Sequence, residues 1–367
     1  MIERNEGFSW IDTIKIAGAW ISFCIGSGFA TGQELLQYFG AYGVYGFGAI
    51  VIAMILHTYC SVSFLKAGHE QQFESSLDIF DYYCGKTLGK IVKLLSVVFL
   101  VISPMVMIAG FGASLNQFFN VPLGVGAGIM GVLSIITVLL GLRKMVDIIG
   151  AIGPVIIVVT LLTGGIFLVT HVDTFASGME MAPSLASLKI GSSWMESGML
   201  YATWAPMISA PFLVASATTV KSGKSAAWGG ILGTIFYGLA CAIMIAAFFC
   251  IYDVVSVQAV PTLYLANLIS PVLGYAFLAI IFLGIYSSAV PSLFNFCAAF
   301  FREGTKPYKI FTVIAIAITT VVSVTVPFGT LLNYVYSFYG YLGILITVLV
   351  PVKQIRVYLA KKKEAVQ

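Results

Sequence analysis

The sequence predicts an all-α membrane protein that crosses the bilayer ten times, and three observations carry that prediction. Of the 367 residues, 59% are hydrophobic and only 9% are charged, where a soluble domain carries about 25% charged residues. Charge-free stretches recur at about the 20-residue length that spans a bilayer. The basic residues gather between alternate stretches, as the positive-inside rule requires. Stretches this apolar need lipid as their solvent, so the expectation is one packed membrane domain over residues 1–367.

The spans follow in order. The first, Ile11–Phe39, is apolar but interrupted by glycines. The others are Tyr45–Phe64, Leu94–Leu115, Val121–Leu142, Ile148–Thr170, Ser197–Val220, Ala226–Tyr252, Pro271–Phe301, Ile310–Val326 and Thr330–Val350. Ten spans with both ends in the cytoplasm put eighteen of the nineteen basic residues on one side. Arg4, Lys15, Lys66, Lys86, Lys90, Lys93, Arg143, Lys144, Lys221, Lys224, Arg302, Lys306 and Lys309 fall in inner connections, and Lys189 alone falls outside. Residues 351–367 form a basic cytoplasmic tail with Lys353, Arg356, Lys361, Lys362 and Lys363. A wrong span count would scramble this asymmetry. The inner segment Asp78–Lys93 reads as a short helix lying on the membrane. The long connection His171–Ser192 reads as an outer loop, and Pro261–Ile269 as a re-entrant or capping helix. The N-terminus MIERNEGFSW has acidic residues and no short apolar core, so it does not read as a cleaved signal peptide.

Five spans and five spans begin on opposite sides, which predicts an inverted repeat of about residues 11–170 and 193–350. Span one contains CIGSGFATGQE, Cys24 to Glu34. Three glycines within seven residues each cost a helix about 1 kcal/mol relative to alanine. An unwound segment at mid-membrane depth is tolerated only where it lines a protein cavity or site. There it offers carbonyls to cations and N–H groups to anions; the plainer alternative is close helix packing through small residues. Span six contains YATWAPMISAP, where Pro206 and Pro211 remove two backbone donors and predict a break near Trp204–Ser209. Paired interruptions at matching positions of two halves point to a transporter site.

Span eight carries Ser287 and Ser288 one turn after Gly284, and their hydroxyls suit a sodium ion beside the span-one break. Hydroxyls bonding back to their own helix are the alternative. Glu34 is the acidic residue well inside an apolar span, and Glu196 stands near the outer end of span six. Both are expected at an outer vestibule as gate residues. His57 reads as a hydrogen-bonded core histidine. The six cysteines are scattered without metal-ligand spacing and read as buried apolar residues. No hydrolase, metalloprotease or P-loop motif occurs, and no basic stripe suits nucleic acid. The expectation is a protein that is not an enzyme, has no catalytic residues and carries no resident cofactor.

At CIGSGF the chain resembles the amino acid–polyamine–organocation transporter superfamily. Its length, ten spans and the continuation FATGQE look most like the YkvI-like amino acid permeases of bacteria. The motif match covers about eleven residues, and the topological match covers the whole chain. The resemblance implies the five-plus-five inverted-repeat fold of the bacterial leucine transporter, with breaks in helices one and six. It implies that the N–H groups of Gly26, Ser27 and Gly28 meet a substrate carboxylate, while Tyr201, Ala202 and Trp204 face the amine and side chain. It also implies one sodium held by the carbonyls of Ser22, Ile25 and Gly284 and the hydroxyls of Ser287 and Ser288. Phe29 stands where relatives hold a second sodium with asparagine, which argues against a second ion. Span five has no lysine to replace the first one.

The function expected is therefore sodium-coupled symport of an amino acid or similar small zwitterion by alternating access, in the plasma membrane. The partners expected are that small molecule and the lipid bilayer; oligomeric state is open. Proton coupling is one alternative. Another is an amino-acid-sensing subunit of the spore-germination receptor type, which resembles this chain in length and span count. A continuous channel fits worse, because most spans carry too few polar residues.

Overall fold

The computed structural model describes residues 7–140, 152–185 and 189–364, all helices, turns and short connections; among these residues there is no strand. Arg4, Arg143, Lys144 and the start of the fifth span lie outside them. Span one is α1 (Trp10–Cys24) and α2 (Ser27–Thr31), followed by a π-helical turn at Leu35–Phe39 and a 3-10 turn at Gly40–Tyr42. Then come α3 (Tyr45–Gln71), α4 (Asp78–Phe119), α5 (Leu123–Leu140), α6 (Ile152–Thr170) and α7 (Phe175–Leu185). The second half holds α8 (Trp194–Trp204), α9 (Pro206–Ala217), α10 (Gly223–Phe249), α11 (Tyr252–Val255) and α12 (Pro261–Ile269). It closes with α13 (Pro271–Phe300), α14 (Lys306–Ser323) and α15 (Phe328–Glu364).

Helix starts follow local chemistry. Ser9, Ser193, Ser222 and Ser270 each sit just before a helix and accept a first-turn N–H. Pro271 and Pro307 stand in first turns, where the missing N–H has no helical partner to lose. The interiors are apolar on all sides because one flank meets protein and the other faces outward. Ile55, Leu94, Val132, Val158, Ile235 and Ile318 are all exposed. Exposed apolar residues at this density suit hydrocarbon, where every backbone group must be satisfied within the helix.

Seven of the helices are long and apolar enough to cross a membrane. Two bent pairs pass only together: 154–170 with 172–185, bent by 77°, and α8 with α9, bent by 44°. Counted by length and composition, the described residues thus hold seven spans, or nine with each bent pair taken as one; the pieces of broken span one are each too short to pass by themselves. Two local expectations change, and a third gains detail. Asp78–Lys93 is not one surface helix: α4 kinks at Gly85 (φ 77°, ψ 162°), which leaves a short helical piece before it, while Lys86–Lys93 runs straight on into the rest of α4. Lys93 turns back onto Asp78 at 2.7 Å and Asp81 at 2.5 Å, which pins the kink. The connection after α6 is no loop but a 3-10 turn and the helix α7, with Pro183 near its end. The basic tail after residue 350 continues α15 as helix to Glu364.

Packing places α8 at the centre, between α3 and α15, while α1 lies against α10 and α6. Helices α4, α13 and α5 form the opposing wall, and α2 rests on α4 and α13.

Candidate functional site

Helix α1 ends at Cys24, and Ile25 (ψ 81°) and Gly26 (ψ −168°) leave helical geometry before α2 begins. The Gly26 N–H turns back to the Cys24 carbonyl at 2.9 Å. The end of a helix leaves its last carbonyls outside the helical ladder. Here they turn toward α13. The Ser288 hydroxyl lies 2.9 Å from the Ile25 carbonyl, 3.2 Å from that of Ser22 and 3.3 Å from that of Phe23. The Ser287 hydroxyl lies 3.0 Å from the Gly284 carbonyl and 3.3 Å from that of Ser22. The five residues singled out for a cation thus sit together, all of their oxygens are neutral, and Ser22, Ile25, Ser287 and Ser288 are buried. The Phe23 carbonyl joins them and had no sequence signal of its own.

A five-residue helix is too short to be stable alone, so α2 is held by its neighbours. The Thr262 hydroxyl of α12 donates to the Ala30 carbonyl at 2.6 Å, and Thr31 donates to the Ser27 carbonyl at 2.6 Å. Gly32 ends α2 in the left-handed region, φ 87°, which glycine adopts without strain.

Span six bends rather than unwinds. Ala205 keeps helical angles (φ −63°, ψ −40°), and Pro206, which lacks an N–H, starts α9. The expected break near Trp204–Ser209 is therefore a 44° bend with one residue between two helices. The Ser96 hydroxyl takes up the Met207 carbonyl at 2.5 Å, and the Thr203 hydroxyl donates to the Gly340 carbonyl at 2.6 Å. Tyr201, Ala202 and Trp204 are buried, and Tyr201 packs edge-on against Tyr38 and Phe39, which follow the span-one break. The Tyr201 and Tyr237 hydroxyls are 2.6 Å apart, and Tyr237 reaches the Cys24 carbonyl at 3.5 Å. Trp204 stacks on Tyr336 with centroids 4.4 Å apart.

Of the two acidic residues, Glu196 stands in the first turn of α8, the end of span six where it was expected, while Glu34 is turned inward. Glu34 is fully buried. The turn at Gly32 re-aims the chain, and the Glu34 carboxylate folds back onto Gly28: a Cβ on Gly28 would land on its Oε1. Tyr201 faces this carboxylate, but its hydroxyl is engaged by Tyr237, and neither carboxylate oxygen has a partner at hydrogen-bonding distance. Glu196 is a helix cap. Its carboxylate accepts from the Ser192 N–H at 2.6 Å, the Ser192 hydroxyl at 2.5 Å and the Tyr341 hydroxyl at 2.7 Å, while its own N–H donates to Ser193. It ties the start of α8 to α15. His57 packs edge-on against Trp20 and Tyr201 inside the core.

Sequence reasoning missed two groups. Gln33, Gln37 and Asn333 form a polar chain: Gln37 donates to Gln33 at 3.0 Å, Asn333 to Gln37 at 3.1 Å, and Gln33 to the Gln258 carbonyl at 2.7 Å. It ties span one to the last span and to the segment before α12. Tyr38, Tyr237 and Tyr336 form the second group; they come from regular or π-helical turns with no motif to mark them. The Gln-Glu pair after the glycines was the one available signal for the first group.

A broken first helix, a bent sixth and oxygens from span eight on the break together give the polytopic membrane fold that the sequence resemblance implies. Solved structures agree on the fold. A Na+-coupled sialic acid symporter in its substrate-bound outward-open state matches with TM-score 0.64 at 11% identity, over 93% of this chain and 78% of that one. The inward-facing conformation of Mhp1 matches with TM-score 0.58 at 12% identity, over 92% and 75%. The Eremococcus coleocola manganese transporter matches with TM-score 0.54 at 15% identity, over 96% and 81%. Likenesses this distant in sequence show the fold alone. Among curated proteins, the chain is 21% identical over 354 residues to the uncharacterized membrane protein YkvI of Bacillus subtilis (strain 168), covering 94% of this chain and 95% of that protein. It is also 29% identical over 153 residues to YyaD of the same organism, 42% of each chain. The similarity to YkvI runs the length of the chain, well beyond the eleven residues of the motif. No protein-family model matches.

Proposed function

We propose that the protein is a secondary active transporter that couples sodium entry to symport of an amino acid or similar small zwitterion. The observation that supports this reading best is the meeting of the Ser287 and Ser288 hydroxyls with the carbonyls at the end of α1. Hard monovalent cations are bound by oxygens, and a neutral, buried oxygen set around a helix break fits one. Among the described residues no three His, Cys, Asp or Glu side chains come together, so a transition-metal cargo gains no support from side chains.

In this reading the sodium ion ties the break to α13, and the N–H groups of Gly26, Ser27 and Gly28 hold the substrate carboxylate. Tyr201, Ala202 and Trp204 border the remainder of the substrate. Ion binding biases the conformational equilibrium only by its differential affinity for the two states. The state that brings α13 onto the end of α1 is the one sodium favours. The Lys and Arg distribution supports a cell-membrane orientation with both ends in the cytoplasm.

Proteoliposomes test the reading. An inward sodium gradient should drive uptake of at least one radiolabelled amino acid, and preloaded unlabelled amino acid should accelerate exchange. Uptake indifferent to sodium but driven by a pH gradient would shift the reading to proton coupling. Binding without exchange would favour a ligand sensor, and neither binding nor exchange across the common amino acids would sink the substrate class.

A further inference from the structure

We infer that Glu34 is the counter-ion for an ammonium group of the transported ligand, held in an aromatic cage at the centre of the protein. The inference rests on the transporter reading and narrows its substrate class. Glu34 is fully buried, and both carboxylate oxygens lack a hydrogen-bond partner. Among the described residues the ion pairs are those of Lys93 with Asp78 and Asp81, so no basic side chain matches Glu34. A lone carboxylate is not left in a low-dielectric interior without a proton or a cation to meet it.

The surroundings favour the cation. Tyr38, Tyr201 and Tyr237 are buried together beside the span-one break, and the Tyr336 hydroxyl points at Gly26, two residues from the glycine that Glu34 touches. Their rings pack as one wall: Tyr38 against Tyr201 at 4.9 Å, Tyr201 alongside Tyr237 at 6.5 Å, and Trp204 on Tyr336 at 4.4 Å. Ring faces carry negative potential and attract ammonium groups, more strongly when water is excluded. The hydroxyls of Ser27, Tyr38 and Tyr336 and the Trp204 indole N–H are likewise buried without partners. Buried polar atoms are nearly always hydrogen-bonded. The Glu34 carboxylate lies against Gly28 and the Tyr336 hydroxyl near Gly26, so unpartnered polar atoms gather along the span-one break, where a polar ligand would complete the bonding. A carboxylate cannot itself bind an anion, so the charged group it meets is positive.

The test uses purified full-length protein and three matched sets of probes: leucine, 3-methylbutylamine and 4-methylpentanoate; alanine, ethylamine and propionate; phenylalanine, phenethylamine and 3-phenylpropionate. Each is added at equal concentration, and thermal unfolding is followed by tryptophan fluorescence. A ligand that binds the native state raises the midpoint. In at least one set, the amino acid and the amine should raise it while the acid lacking nitrogen does not. Glu34→Gln should weaken the amine by about 10- to 100-fold, the loss of one hydrogen bond to a charged group, with the ligand-free midpoint equal or higher. The wild-type comparison stands even where that variant folds poorly. Acids that stabilise as well as amines overturn the counter-ion assignment and leave the transporter reading intact, as does an amine response unchanged in Glu34→Gln. No response to any of the nine overturns both.

Discussion

Replacing Ser288 by alanine removes one oxygen from the place where α13 meets the span-one break. In the structure that hydroxyl lies 2.9 Å from the Ile25 carbonyl, with the Ser22 and Phe23 carbonyls slightly farther away. Deleting a buried donor leaves its acceptor unsatisfied, which costs about 1–3 kcal/mol. The ion-free protein should therefore lose a comparable amount of stability. A hydrogen bond or ligand contact to a charged group contributes about 1.5–3 kcal/mol, so sodium affinity should fall by about 10- to 100-fold. Ser287→Ala provides the internal comparison. Its hydroxyl lies closest to Gly284 of its own helix, at 3.0 Å, a bond that adds little to helix stability. Its ion-free stability should barely change while its sodium response falls. The assay is the thermal midpoint of purified protein across a sodium chloride series, with potassium chloride holding ionic strength constant so that screening is matched. A wild-type protein that sodium does not stabilise over potassium would refute the ion site. So would a Ser288→Ala variant that keeps the full sodium response.

Two further substitutions probe the frame around the site. A Cβ on Gly343 would collide with the Thr203 carbonyl of α8, and the obstacle is backbone that cannot rotate away. Gly343→Ala should thus destabilise by about 1–3 kcal/mol, as overpacked sites do, visible as a lower midpoint in detergent; an unchanged midpoint would contradict the close docking of α15 on α8. Glu196→Ala removes a cap that accepts from Ser192 and Tyr341. It should cost about 0.5–2 kcal/mol with uptake per folded molecule retained, whereas lost uptake at an unchanged midpoint would restore the gate role.

Much of the architecture was legible because hydrophobicity and charge act over whole spans. Lys and Arg placement set the expected number of crossings without reference to contacts, and the glycines at 26, 28 and 32 marked the break in span one. Residues that meet only through the fold were harder to read. Glu34 was placed toward an outer gate because a continuing helix would have carried it there; the single left-handed turn at Gly32 sends it back to Gly28 instead. Two prolines predicted the break in span six, and it takes the form of a bend: Ala205 stays helical because losing an N–H bends a helix without requiring it to open. Tyr237 and Tyr336 sit in unbroken apolar helices, where an aromatic residue looks the same whether it fills a core or lines a site. The helix α7 escaped notice because it is short and lies next to a connection.

The π-helical turn at Leu35–Phe39 carries one residue more than an α-helix of the same rise, and the Gly40 N–H reaches back five residues to Leu35 as well as four to Leu36. That surplus residue rotates everything before it relative to everything after it by about a quarter turn. Tyr38, which packs on Tyr201, lies within this turn. The shift has a practical consequence for comparison with distant relatives. A homologue one residue shorter here can keep every flanking helix in place and still present a different side chain to the centre, so substrate preference can diverge through a deletion that leaves the fold untouched.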